Sequence, residues 1–142
     1  MVIVAAVDRS KRASDVLRES RSLAVHFDEQ IHVVHVLTSA EFVDLERTAV
    51  DETGAAVDMD EVRQVAGNIA AEAAETALES DYEAVGLMGD PAVRIVDYAR
   101  EHDARYIVVA GRKRSPAGKV VFGSVTQSIL LNADCPVVTT IR

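Results

Sequence analysis

Cysteine and lysine are both scarce in this 142-residue chain: there is one cysteine, Cys135, and three lysines, Lys11, Lys113 and Lys119. A single cysteine excludes an internal disulfide framework. Set between Asp134 and Pro136, with no positive neighbourhood, Cys135 reads as a small spacer rather than a reactive thiol. No apolar run is long enough to cross a bilayer, and the opening stretch 2–7 has no charged flank of the kind a signal peptide needs. The expectation is therefore a cytoplasmic protein without a membrane segment. Net charge is −8, which disfavours wholesale binding to nucleic acid or to an anionic membrane. The four histidines have no metal-ligand spacing, and His32 and His35, three apart on a strand, point to opposite faces. The chain also has no low-complexity tract and no solenoid-length repeat.

Hydrophobic residues make up 49% of the chain, enough for one domain over 1–142 with a real core. Abundant Asp and Glu beside scarce Lys suggest a high-salt cytoplasm, with an acid-shifted mesophile as the alternative. Five short runs rich in Val and Ile, at 2–7, 31–37, 82–88, 105–110 and 136–141, are nearly continuous in apolar character. That is the mark of strands buried on both faces of a parallel sheet. Helical patterns alternate with them. The first is capped by Ser10 and carries Ala13, Val16, Leu17, Ser20, Leu23, Ala24 and Phe27 at three- and four-residue spacing. The second starts at Asp58 or Asp60, and the third has Asp90 as cap and Pro91 at its first position. The fourth starts near Gly123 and Ser124 and turns Val125, Ile129 and Ala133 inward. The spacing predicts an α/β, Rossmann-like fold: a single doubly wound, parallel five-stranded sheet of order 3-2-1-4-5, flanked by four helices. An acidic excursion at about 38–57 is longer than a normal connection and reads as flexible or partly helical.

Segment 111–124, Gly-Arg-Lys-Arg-Ser-Pro-Ala-Gly-Lys-Val-Val-Phe-Gly-Ser, joins the fourth strand to the last helix. A glycine- and cation-rich turn in that position is how α/β proteins hold phosphate on backbone N–H groups and a helix N-terminus. In open α/β sheets the ligand crevice lies beyond the carboxyl ends of the strands, where the strand order reverses. Asp8, after strand one, and Gly111, after strand four, would meet there. Asp8 can accept from an adenine amine or a ribose hydroxyl, or it can satisfy backbone N–H groups of its own turn. Ser124 can meet an anion or cap the helix. Arg112, Lys113, Arg114 and Lys119 either neutralise phosphate or form a solvated basic loop. A Walker A motif is excluded, because Val120 follows Lys119 where Ser or Thr belongs.

These residues together resemble the universal stress protein family over almost the whole chain. The resemblance is carried by Ala6-Val7-Asp8-Arg9-Ser10, His35-Val36, Gly89-Asp90-Pro91, the run 106–111, Gly123-Ser124-Val125-Thr126 and Cys135-Pro136-Val137-Val138. It implies a homodimer, often formed through the last strand, and in one branch of the family an adenine nucleotide in the crevice: ATP, with or without Mg²⁺. In that branch Asp8 and Val36 match the adenosine contacts. Gly111, Gly123 and Ser124 match the ends of the phosphate loop G-x2-G-x9-G-[S/T], and Arg112, Arg114 and Val125 would also line it. Arg114 stands where the second glycine belongs, and the loop is one residue short. Arginine either replaces backbone donors with a guanidinium or marks the branch that binds no nucleotide. Two further functions stay open beside the nucleotide-binding regulator: a dimeric interaction module without nucleotide, and a small-molecule enzyme. No acid–base pair is evident for the last, so no dedicated catalysis is expected.

Overall fold

The computed structural model describes residues 1–54, 58–78, 81–111 and 122–141. Five parallel strands, β1 (Val2–Ala6), β2 (Gln30–Leu37), β3 (Tyr82–Met88), β4 (Ala104–Ala110) and β5 (Val137–Thr140), form one sheet of order β3-β2-β1-β4-β5. The predicted topology is the observed one. Each strand lies within two residues of its apolar run at either end.

Alternate side chains of the strands build a core on each face of the sheet. On one face Ile3, Ala5, Ile31 and Val33 pack against helix α1 (Ala13–Phe27) through Val16 and Leu17, and against helix α3 (Met59–Ala77) through Ala70 and Ala74. On the other, Val4, Val34, Ile107 and Val109 meet helix α4 (Pro91–Glu101) through Ile95, Val96 and Ala99, and helix α5 (Ser124–Asn132) through Ile129. Small residues along α3 let it approach closely. A Cβ added to Gly86 on β3 would lie 2.2 Å from the Arg63 carbonyl and 2.3 Å from the Gly67 nitrogen.

There are five helices among the described residues, not four. The additional one is α2 (Ser39–Thr53), which occupies most of the acidic excursion. Thr38 starts it with a capping box: its hydroxyl accepts from the Glu41 N–H, and the Glu41 carboxylate accepts from the Thr38 N–H. Phe42 and Leu45 then pack on Leu37, Val62 and Ala66, which gives a mostly polar helix enough buried area to hold. α1 starts later than expected. Ser10 does not cap it; its hydroxyl accepts from Arg12 N–H in the preceding turn, and Arg12 takes the cap position. Asp58 and Asp90 cap α3 and α4 as expected, and Pro91 is the first residue of α4.

Candidate functional site

A pocket of about 250 Å³ opens beyond the carboxyl ends of the central strands. The end of β1 and the two residues after it contribute Ala6, Val7 and Asp8, β2 contributes His35 and Val36, and β4 Val109 and Ala110. Thr38 and Glu41 at the start of α2, Pro91 and Ile95 of α4, and Val125, Thr126 and Ile129 of α5 close the sides. This is the crevice where the sheet order reverses between β1 and β4. Its wall is largely aliphatic with a few converging polar groups, the usual make-up of a small-molecule site. A larger groove of about 830 Å³ adjoins it, sharing Asp8 and Ala13. That groove lies on one face of the sheet, between the β1–α1 turn and α3. It is lined by exposed side chains such as Arg9, Lys11, Glu72 and Thr76, and is the more open of the two.

The structure brings Asp8, Val36 and Val125 into one pocket. Asp8 is exposed, and its Oδ1 accepts from Ser10 N–H at 2.8 Å, so it shapes its own turn while facing the pocket. Val125 does not pack inward as expected. It is 40% exposed at the pocket rim, and Thr126 and Ile129 are the residues α5 buries. Thr126 donates its hydroxyl to the Ala110 carbonyl at 2.8 Å, fixing the first turn of α5 to the end of β4. Gly123 is the cap residue of α5 and has no side chain with which to cap it; Ser124 is the first residue of the helix. Among the described residues, the opening amides of α5 have no side-chain acceptor. Gly111 spends its N–H on the Thr140 carbonyl. A Cβ there would come within 3.0 Å of that same oxygen, so close approach to β5 is itself a reason for glycine. Arg112 and Arg114, with Lys113 and Lys119, lie outside the described residues.

Four polar pocket residues were not anticipated: His35, Thr38, Glu41 and Thr126. The Thr-x-x-Glu spacing of Thr38 and Glu41 was the available signal for the second and third. His35 is 4% exposed. Its Nδ1 lies 2.9 Å from the Val7 carbonyl, which can only accept, so Nδ1 carries a hydrogen. Nε2 is buried without a hydrogen-bond partner among the described residues; Glu41 Oε2 stands 3.6 Å away, beyond bonding reach.

The other buried histidine, His32, lies on the opposite face of the sheet and near its other end. Its Nε2 approaches two acceptors, Gln30 Oε1 and Glu83 Oε2, each at 3.3 Å. Nδ1 is then the acceptor for the Tyr98 hydroxyl at 2.6 Å. Tyr98 in turn stacks on His102 with ring centroids 3.9 Å apart. Burial holds the His32 pKa below its usual 6.5; Glu83 opposes this and His102 adds to it. Burial likewise pushes the Tyr98 hydroxyl up to about 12, with Glu83 and Glu101 adding to it.

Among the described residues no group of three or more His, Cys, Asp or Glu side chains is placed to hold a metal ion, and no helix is long and apolar enough to cross a membrane.

Comparison with known proteins agrees with this architecture. The sequence pattern of the universal stress protein family matches residues 1–140. Universal stress protein MJ0531 of Methanocaldococcus jannaschii is 25% identical over 135 residues, which cover 95% of this chain and 78% of the relative. The solved universal stress protein of Archaeoglobus fulgidus is 34% identical, with a TM-score of 0.65 over 98% of this chain and 97% of its own. A further Archaeoglobus fulgidus structure, of the universal stress protein in complex with dAMP, is 25% identical, with a TM-score of 0.58 over 98% and 96% of the two chains. By its sequence pattern over nearly its full length and by its fold, the chain belongs to the universal stress protein family.

Proposed function

We propose that this protein binds an adenine nucleotide, ATP or a related form, in the crevice beside β1 and acts as a dimeric regulator in the stress response. The observation that carries the reading is the meeting of Asp8, Val36 and Val125 in one largely aliphatic pocket at the strand ends. The dAMP complex of the Archaeoglobus fulgidus relative supports the ligand class. Asp8 would take the ribose hydroxyls and Val36 the base. Gly123, Ser124 and Val125, at the amino end of α5, would face the phosphates together with Gly111, Arg112 and Arg114. The first turn of α5, without a side-chain cap among the described residues, suits negative charge. Mg²⁺ with ATP, a cytoplasmic setting and the absence of dedicated catalysis belong to the same proposal.

Dimerisation is supported by an open edge and apolar exposure. β5 ends the sheet, with only β4 beside it among the described residues. Phe122, Leu130, Leu131 and Ile141, before and after it in the chain, are 38%, 41%, 78% and 38% exposed. An unpaired strand edge next to apolar surface favours pairing with a second copy.

One observation favours the other reading, an interaction module without nucleotide: the Gly111 N–H is committed to Thr140 and so is not free for a phosphate. Calorimetry with the double variant Asp8→Ala, Ser124→Ala separates the two. Loss of ATP binding in the variant supports the nucleotide reading. An unmodified dimer that binds no nucleotide at all supports the module. Tight binding unaffected by both changes puts the ligand elsewhere.

A further inference from the structure

We infer that His32 exchanges partners on taking up one proton, releasing the Tyr98 hydroxyl near the end of α4 and pairing with Glu83 on the edge strand β3. The exchange needs no nucleotide, because these residues lie toward the amino ends of the strands, away from the crevice. His32 is 6% exposed and Tyr98 8%, so water does little for either. While the ring is neutral, Nε2–H faces Gln30 Oε1 and Glu83 Oε2, and Nδ1 accepts from the Tyr98 hydroxyl at 2.6 Å. Among the described residues that is the one hydrogen bond joining a side chain of α4 to a strand. A proton on the ring fills Nδ1, and two donors then face each other. Tyr98 has to turn its hydrogen away, and among the described residues its hydroxyl has no second hydrogen-bond partner. On the far side of the ring the same proton gains. Glu83 stands directly opposite His32 in the β2–β3 register, with Oε2 3.3 Å from Nε2, and a charged ring turns that contact into an ion pair.

The groups around His32 set the point of exchange. Burial opposes its charge most; among its neighbours Glu83 of β3 favours the charge and His102 at the end of α4 opposes it. The His102 ring centroid lies 5.6 Å from that of His32. His102 is held there by stacking on Tyr98 and by Nδ1–H donated to the Tyr98 carbonyl at 3.0 Å, so it cannot swing away without breaking both. Glu101, also of α4, bears on Tyr98. Val4, the neighbour of His32 on β1, and Gln30 on β2 carry no charge. Acid therefore loosens the last turn of α4 and tightens the contact between β2 and β3, through one buried ring with two competing partners.

The test is hydrogen exchange of the full chain by mass spectrometry from about pH 8 to about pH 5, corrected for the intrinsic pH dependence of exchange. Amides 99–103 are expected to lose protection roughly tenfold as His32 charges, while those of β1 keep theirs. Glu83→Gln removes the favourable charge and should move the midpoint of that loss to lower pH by about 0.5 unit. His102→Gln removes the opposing charge and should move it to higher pH by about as much. Both positions are exposed, so both variants keep the fold. The midpoint is the readout, so a general change in helix stability does not imitate the result. His32→Asn keeps an oxygen near the Nδ1 position for the Tyr98 hydroxyl but cannot titrate, and should hold protection flat, with thermal melting as the check on its folding. Midpoints that stay in place in both charge variants overturn the inference, as does a loss that persists in His32→Asn. So does a flat profile in the unmodified chain, or a loss shared equally by β1, which marks global acid unfolding.

Discussion

Thr126 donates its hydroxyl to the carbonyl of Ala110 at 2.8 Å, joining the first turn of α5 to the last residue of β4 across the wall of the pocket. Thr126 is 7% exposed, so its hydrogen bond is shielded from water. Thr126→Val keeps the shape and removes the donor. It is expected to cost about 1 kcal/mol of stability in urea unfolding. On the proposed reading it should also weaken nucleotide binding several-fold, because α5 would present Val125 and its opening amides to the nucleotide. Unchanged affinity beside the stability loss would make Thr126 structural only.

The close approach of α3 to β3 depends on Gly86. A methyl group there meets backbone atoms of Arg63 and Gly67, which cannot rotate aside. Gly86→Ala is expected to cost about 3 kcal/mol through overpacking. For a chain of this size that is a fall in Tm of roughly 6–12 °C, read by thermal melting. A melt within a degree or two of the unmodified protein would mean that α3 slides away freely.

Acid should destabilise the fold through His32. Its folded pKa lies below the ordinary value of 6.5, mainly because it is buried. The unfolded chain therefore takes up the proton first as pH falls. The contribution of His32 is complete above about pH 6.5 and is lost as pH drops from there through the folded pKa. Stability measured in urea should decline across that range more steeply than in His32→Gln. Parallel curves for the two proteins would remove His32 as the cause.

If β5 and its surroundings carry the dimer, the 15.3 kDa chain should sediment at twice that mass. Ile141→Glu puts a charge at the end of the open edge and should shift the population to monomer. A dimer indifferent to that change would place the contact on another face.

The five strands were legible because parallel strands buried on both faces read as unbroken Val and Ile runs. Asp90-Pro91 was equally plain as a helix start, because cap and first-turn chemistry are local. α2 was harder. Its charged sequence lacks a strong apolar stripe, and it is held by Phe42 and Leu45 against Leu37 and Val62, a contact set by the tertiary fold. Val125 illustrates a different limit: periodicity assigns a side to a residue and does not tell a pocket rim from a core. His35 stood out in the sequence only as part of the His35-Val36 pair that carries the family resemblance. Its buried hydrogen bond depends on β1 and β2 standing in a register, Ala6 opposite Val34, that brings the Val7 carbonyl to its ring. Sequence spacing carries no such cross-strand information. Asp8 was found because it immediately follows a strand, and the strand order then decided what it faces.

The most direct test of the central claim is calorimetric titration of the unmodified, full-length chain with ATP and with AMP. The pocket beside β1 predicts saturable binding with one nucleotide per chain, abolished by Asp8→Ala together with Ser124→Ala. A folded protein that gives no heat of binding with either nucleotide would contradict it.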